Sequence, residues 1–156
     1  MPNGDLQPHD PFTAVILQIF RTNGQMIGWG DRFSAPFGLT SARWQMLGAL
    51  ALAPRPLTTP QIAVNMGVTR QGAQKQLNNL LEEGLIEKRH NPYHKRSPLY
   101  QLTARGEALF NEVGDQWNRH AEQASREFSA EELETTLQVL SRIHELHQTR
   151  HEGTDP

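Results

Sequence analysis

The stretch from Leu57 to Leu102 constrains the fold of this chain most, because it places two short helices and two short strands within a few dozen residues. Thr58-Thr59-Pro60-Gln61 predicts the start of a short helix, and Gly67 supplies a left-handed turn after it. Thr69 is suited to cap a second helix that ends at Gly84. Residues 85–90 alternate as in a strand, and residues 99–102 predict its return partner. This order predicts a helix-turn-helix followed by a β-hairpin.

The second of these helices separates into an apolar side and a polar side. Ala73, Leu77, Leu80 and Leu81 fall on one side when residues are placed at 100° intervals. Gln and Asn on the polar side can pair with adenine, and Arg or Lys with guanine. The alternative is an ordinary solvated face. The candidate DNA-binding residues on this helix are Thr69, Arg70, Gln71, Gln74, Lys75 and Asn78.

The hairpin has a basic tip. Its loop, residues 91–98, contains two prolines and no carboxylate. A wing that grips the DNA backbone and the minor groove requires cations here, whereas a purely structural hairpin does not. The alternative function is a winged-helix protein-interaction module without specific DNA binding. The candidate contacts of the hairpin are Arg89, His94, Lys95 and Arg96.

The charge of the chain is distributed unevenly. The formal net charge is −2 for 156 residues, and this total by itself argues against nucleic acid. Residues 69–105, however, carry seven basic and three acidic side chains, a net charge of +4, whereas residues 106–156 carry −7. Local clusters attract phosphate more than totals do. The distribution therefore favours DNA binding by the middle of the chain.

The segments outside residues 39–103 are predicted to be helical and to mediate dimerisation. We expect a single subunit over residues 1–156, with a winged helix-turn-helix DNA-binding lobe at 39–103, a helical dimerisation region at 10–36 and 104–148, and flexible tails at 1–9 and 150–156. The fold class is mainly α, with about six helices and a small β-hairpin. Several apolar side chains exceed what a lobe of about fifty residues can cover, and a twofold homodimer would bury them. They are Phe12, Phe20, Leu137, Leu140 and Leu146.

The chain resembles the MarR-type winged-helix transcriptional regulators from about Pro11 to His147. The resemblance is carried by Leu39-Thr40, Trp44, Leu47, Leu57-Thr58, Ile62-Ala63, Val68-Thr69, residues 80–86, the basic hairpin and residues 102–106. It implies a homodimer with two winged helix-turn-helix lobes over a palindromic operator in double-stranded DNA. It also implies recognition-helix roles for Arg70, Gln71, Gln74, Lys75 and Asn78, and a wing role for Arg96. One departure is His94, because the family commonly has an Asp there that orients the wing Arg.

Release by a small molecule is a further expectation from this resemblance. Similar proteins often bind anionic aromatic effectors between the dimer helices and the DNA lobe, and they often act as repressors. Trp29, Phe33, Arg43 and Trp44 are the candidate ligand-binding residues, because an arginine beside aromatic rings suits a phenolic or benzoate-like acid. The alternative is that these aromatic side chains belong to the core.

Other kinds of site receive little support from the sequence. His144, His147 and His151 have a spacing that can present imidazoles to one metal, but a solvated histidine stripe is the alternative, and we predict no metal site and no cofactor. The chain has no recognisable nucleophile motif, so we do not expect an enzyme. The longest apolar run, residues 46–53, is shorter than the roughly 18 residues that span a bilayer. Without cysteine or a signal sequence, a cytoplasmic protein with no membrane partner is expected.

Overall fold

The computed structural model describes residues 10–148 and is mainly helical. Both predicted tails, 1–9 and 150–156, lie outside the described residues. Single 3₁₀ turns follow α1 and α5, at Ala35–Phe37 and Ser125–Glu127. The six helices and the hairpin confirm the predicted fold class. In chain order the elements are α1 (Pro11–Ser34), α2 (Ser41–Ala51), α3 (Thr59–Met66), α4 (Arg70–Glu82), β1 (Ile86–Arg89), β2 (Leu99–Leu102), α5 (Ala104–Ala124) and α6 (Ala130–Leu146).

The helices begin where capping side chains accept hydrogen bonds from free backbone amides. Asp10 accepts from the amide of Thr13 at 2.8 Å, and Thr69 accepts from the amide of Gly72 at 3.0 Å. The run Ser129-Ala130-Glu131-Glu132 fits a capping box, and Ser129 and Glu132 form it at the start of α6. The helix starts predicted at Thr58 and Thr69 are confirmed.

The end of α5 comes earlier than predicted. Thr103 followed by Leu109, Val113 and Trp117 at helical spacing predicts a helix to about Phe128, but α5 ends at Ala124. The Ser125 hydroxyl donates to the carbonyl of Glu122 at 3.1 Å, which competes with the helical pattern. Phe128 is extended, because the following Ser129 has to cap α6.

The core lies between α2, α3, α4 and the hairpin. Its fully buried side chains include Met46, Leu47, Ile62 and Leu77. β1 and β2 are antiparallel, with Ile86 opposite Leu102. Leu57 also exchanges two backbone hydrogen bonds with Tyr100, of 3.1 and 2.8 Å, and so adds a short third segment beside β2. This pairing was not predicted from the sequence.

Two glycines lie where any other residue would strain the backbone or clash with it. Gly67 has φ +66° in the turn between α3 and α4, as predicted for this position. Gly106, in the first turn of α5, lies against Leu85, the residue before β1. A Cβ atom at this position would lie 1.9 Å from the carbonyl oxygen of Leu85. Glycine therefore allows α5 to start directly against Leu85.

The structure comprises two compact units, one ending at Gly114 and the other beginning at Asp115. In the first unit, α1 exposes large apolar side chains, such as Phe20 at 71%. In the second unit, α6 has no buried residue, and Leu137 is 67% exposed. No helix within residues 10–148 is long and apolar enough to cross a membrane.

Candidate nucleic-acid interface

Helix α4 presents a polar face to solvent because its opposite face is anchored in the core. Ala73, Leu77 and Leu80 are fully buried and fix the rotation of the helix about its axis. Thr69 is exposed, but its hydroxyl is engaged in the cap. Four exposed side chains form what we call the recognition face: Arg70, Gln71, Lys75 and Asn78. A shallow groove along this face has no carboxylate among its lining residues within the described chain.

Gln74 differs from its neighbours on α4, although sequence reasoning grouped them together. It is half-buried, and its Oε1 accepts a hydrogen bond from the Thr59 hydroxyl at 3.0 Å. Its Nε2 donates to Oδ1 of Asn78 at 2.9 Å and to the hydroxyl of Tyr100 at 3.3 Å. The hydrogen-bonding groups of Gln74 therefore have partners within the protein. A helical wheel of α4 cannot predict this, because it does not show the Tyr100 hydroxyl on β2.

The wing loop is held in shape by one buried side chain, Asn91. Its Nδ2 donates to the carbonyl of Ser97 at 2.9 Å, and its Oδ1 accepts from the amide of Tyr93 at 3.1 Å. These bonds pin both sides of the loop, so that His94, Lys95 and Arg96 are exposed at its tip. Tyr93, at 87% exposure, was missed by sequence reasoning, although an aromatic side chain in a basic loop was a usable signal.

Arg96 and Arg89 have different surroundings. No ion pair to Arg96 is present within residues 10–148, and position 94 holds His94 instead of the Asp that the sequence resemblance implies. Arg89, on β1, donates to Oε1 of Gln101 at 3.3 Å. The Nε2 of the same Gln101 donates to the carboxylate of Glu87. Positive charge is therefore less compensated at the tip of the wing than at its base.

The wing loop faces the beginning of α3 across a second concave surface, which we call the wing groove. Arg55, which precedes α3, lies on this groove together with the basic tip. Because Thr59 hydrogen-bonds Gln74, the first turn of α3 lies between the wing groove and α4. No carboxylate lies on the described part of this groove. Its lining includes Arg55, Thr58, Gln61, Tyr93, His94, Lys95 and Arg96.

The candidate effector residues have two kinds of surroundings, because the aromatic rings contact one another whereas Arg43 forms an ion pair. Trp29 stacks on Phe33 with ring centroids 4.9 Å apart, and Phe33 lies 5.1 Å from Trp44. Phe33 and Trp44 pack against the core, and all three rings remain half-exposed. Arg43 instead forms an ion pair with Glu83 at the end of α4 and donates to the carbonyl of Gly38 at 2.8 Å.

The histidine stripe gives no metal site within the described chain. Nδ1 of His147 lies 2.7 Å from the carbonyl oxygen of Ile143, and His151 is outside the described residues. No group of three or more His, Asp or Glu side chains within residues 10–148 is arranged to hold a metal ion.

Comparisons with known proteins agree with this geometry. The model of the MarR family matches residues 37–97, which cover α2, α3, α4, β1 and the wing loop. The uncharacterized protein Rv2011c of Mycobacterium tuberculosis is 39% identical over 104 residues, which are 67% of this chain and 71% of the relative. The chain belongs to the MarR family. Members of this family regulate transcription and are not enzymes, so the expectation that this chain is not an enzyme is confirmed.

Solved structures support the same fold. The crystal structure of the MarR family transcription regulator SP03579 superposes with a TM-score of 0.67 at 26% identity, covering 88% of this chain and 95% of that one. The Staphylococcus aureus MepR–DNA complex superposes with a TM-score of 0.72 at 23% identity, covering 84% and 96%. The winged-helix architecture is therefore shared across nearly the whole described chain.

Proposed function

We propose that this protein regulates transcription by binding, as a homodimer, to a twofold-symmetric site in double-stranded DNA, and that it acts as a repressor. The observation that carries the proposal is the adjacency of two surfaces without carboxylates, the recognition face and the wing groove. The recognition face has the dimensions and donors to enter a major groove. The wing groove offers cations to the phosphate backbone and the neighbouring minor groove. The fold is one that MepR uses in a complex with DNA.

The homodimer is supported by apolar surface on the helices outside the lobe. Phe12 and Phe20 on α1, and Leu137, Leu140 and Leu146 on α6, are all exposed in the single chain. Burial of such side chains drives association, and closed twofold symmetry is the commonest solution. A dimer would also place two recognition faces about 34–36 Å apart, one turn of DNA.

Release by an effector is supported by the position of Arg43. The half-exposed rings of Trp29, Phe33 and Trp44 offer an apolar surface to an aromatic ligand. A ligand carboxylate or phenolate would compete with Glu83 for the Arg43 guanidinium. Since Glu83 caps the end of α4, this competition would link ligand binding to the position of the recognition helix. A ligand shifts the equilibrium only by its difference in affinity for the two conformations.

The test is selection of binding sites from a library of randomised DNA duplexes with the full-length protein. We expect an enriched sequence with twofold symmetry and affinity that falls as salt rises. Failure to enrich any sequence, with salt-independent or absent DNA binding, would overturn the proposal and favour a protein-interaction module.

A charge variant separates wing contacts from general electrostatics. Lys95→Ala should weaken binding to all sequences and lower the slope of log affinity against log salt by about one unit per bound subunit. Arg126→Ala is the matched control, because this arginine is exposed and its ion pair with Glu122, at 3.7 Å, lies on the surface. Equal effects of the two variants would contradict a wing contact.

A further inference from the structure

We infer that Gln74 does not read DNA but is a positioning residue that turns the side-chain amide of Asn78 so that its N–H donors face the base edges. This inference rests on the proposed function. It changes the base that the lobe should prefer at one position of each half-site. The evidence is a chain of hydrogen bonds that joins α3, α4 and β2.

The chain of hydrogen bonds begins in the core. Tyr100 is 1% exposed, and its backbone is paired with Leu57, so its hydroxyl has a fixed position under α4. That hydroxyl receives one hydrogen bond from Nε2 of Gln74, at 3.3 Å. The Thr59 hydroxyl donates to Oε1 of Gln74 at 3.0 Å from the other side. Two anchors on different elements therefore determine how the Gln74 amide is oriented.

The remaining N–H of Gln74 points along the helix to Asn78. It donates to Oδ1 of Asn78 at 2.9 Å, so both N–H groups and the oxygen of Gln74 have partners inside the protein. A base contact by Gln74 would require breaking one of these bonds. Breaking it would leave a half-buried polar group without a partner, which opposes a base contact by Gln74.

The Asn78 amide is held with its oxygen turned toward Gln74, so its N–H donors are the groups turned to the recognition face. Its oxygen is engaged by Gln74, whereas its Nδ2 has no acceptor among the described residues and is exposed on the recognition face. Paired recognition of adenine requires an acceptor and a donor from the same amide. N–H donors without an acceptor suit N7 and O6 of guanine or O4 of thymine. Adenine also has an acceptor at N7, but its N6 amino donor lies beside N7 and would face the second N–H of Asn78. Asn78 should therefore select guanine or thymine, contrary to the adenine pairing that its residue type suggests.

The test compares binding-site profiles from the duplex library for the wild type and for variants. Asn78→Ala identifies the base position that Asn78 contacts, because selectivity relaxes there. In the wild type we expect guanine or thymine at that position. Gln74→Glu keeps an acceptor for Thr59 and Tyr100 but cannot donate to Asn78, so Asn78 can rotate. We expect the preference at that position to weaken by about tenfold or to turn to adenine, with other positions unchanged.

Two further variants separate positioning from charge and from folding. Gln76→Glu adds the same charge on the same helix without touching the hydrogen-bond chain, so it should lower affinity for all sequences equally. Tyr100→Phe removes one anchor without adding charge, and it should relax the same base position to a smaller extent. Melting temperatures and affinity for unrelated duplex DNA are measured for every variant, since a merely structural role would change these and leave the profile intact.

The outcomes are distinguishable. A wild type that enriches no sequence overturns the proposed function and this inference with it. A wild type that enriches a twofold site, but reads adenine at the Asn78 position, overturns this inference alone. If Gln74→Glu and Tyr100→Phe are both folded and both keep the wild-type base profile, this inference is overturned while the proposed function stands.

Discussion

At the scale of single residues, two carboxylates stabilise the beginnings of the first and last helices. The Asp10 carboxylate accepts from the amide and the hydroxyl of Thr13, and the amide bond is the larger cause that lowers the pKa of Asp10 below its usual 3.8. The pKa of Glu132 is lowered from 4.5, first by the hydrogen bond from the backbone amide of Ser129. Both groups favour the folded state when they are ionised.

These pKa shifts predict acid sensitivity at the two helix ends. Because the folded-state pKa values are depressed, the stabilisation is present above 3.8 and 4.5 and is lost as pH falls through the lower folded values. A double variant, Asp10→Asn with Glu132→Gln, should lose less stability than the wild type between about pH 6 and pH 3. Thermal melts followed by circular dichroism measure this. Glu131→Gln is the control, and parallel acid profiles of all three proteins would contradict the prediction.

At the scale of elements, the contact between the start of α5 and Leu85, the residue before β1, determines the position at which α5 begins. Thr103 donates its amide to the carbonyl of Leu85 at 3.1 Å, and its side chain caps Gly106 at 3.1 Å. The same Leu85 carbonyl lies where a side chain on Gly106 would begin. The motif at residues 102–106 contributes to the family resemblance. Its threonine caps α5, and its glycine leaves room for the Leu85 carbonyl.

A pair of glycine variants tests this contact. Gly106→Ala should destabilise the protein by about 1–3 kcal/mol, because its Cβ would overlap backbone that cannot move freely. Gly114→Ala, in the same helix with no atom within 4 Å of the added Cβ, should be neutral or stabilising by up to about 1 kcal/mol. Urea unfolding measures both. A tolerated alanine at position 106 would mean that the start of α5 shifts easily.

At the scale of the whole molecule, the proposed dimer assigns different tasks to different parts of the chain. The +4 segment contains the recognition helix and the wing, and the −7 segment contains most of α5 and all of α6. Charge of this sign on α6 would be repelled by DNA, whereas its exposed leucines suit a contact between two protein chains. The near-neutral total therefore predicts modest affinity for unrelated DNA and a large contribution from twofold spacing.

A charge placed among the α6 leucines tests the dimer. Leu140→Asp should produce monomers, and binding to the selected DNA site should weaken by about a hundredfold or more, because each lobe then binds alone. Gln138→Asp is the control, since it adds the same charge to the same helix away from the leucine stripe. Light scattering after gel filtration and fluorescence anisotropy measure the two effects. A Leu140→Asp dimer with undiminished DNA affinity would contradict this arrangement.

Most of the secondary structure of this chain follows from its sequence alone. Asp10, Thr40, Thr69 and Ser129 act on amides within three residues, and the turn at Gly67 depends on its own φ angle. Alternation and turn residues were enough to predict the hairpin, and the periodicity of α4 was enough to predict which of its faces is buried. Local hydrogen bonds and side-chain periodicity carry this information, so the family resemblance was also visible at this level.

The partners of the polar side chains were decided only by the tertiary structure. Gln74 meets Tyr100 across 26 residues of chain, and Arg43 meets Glu83 across 40. Residue type and helical position alone predict a DNA contact for Gln74 and an effector contact for Arg43. A hydrogen bond between distant residues depends on how helices and strands pack. Which amide is held and which remains free for DNA is therefore a property of the fold.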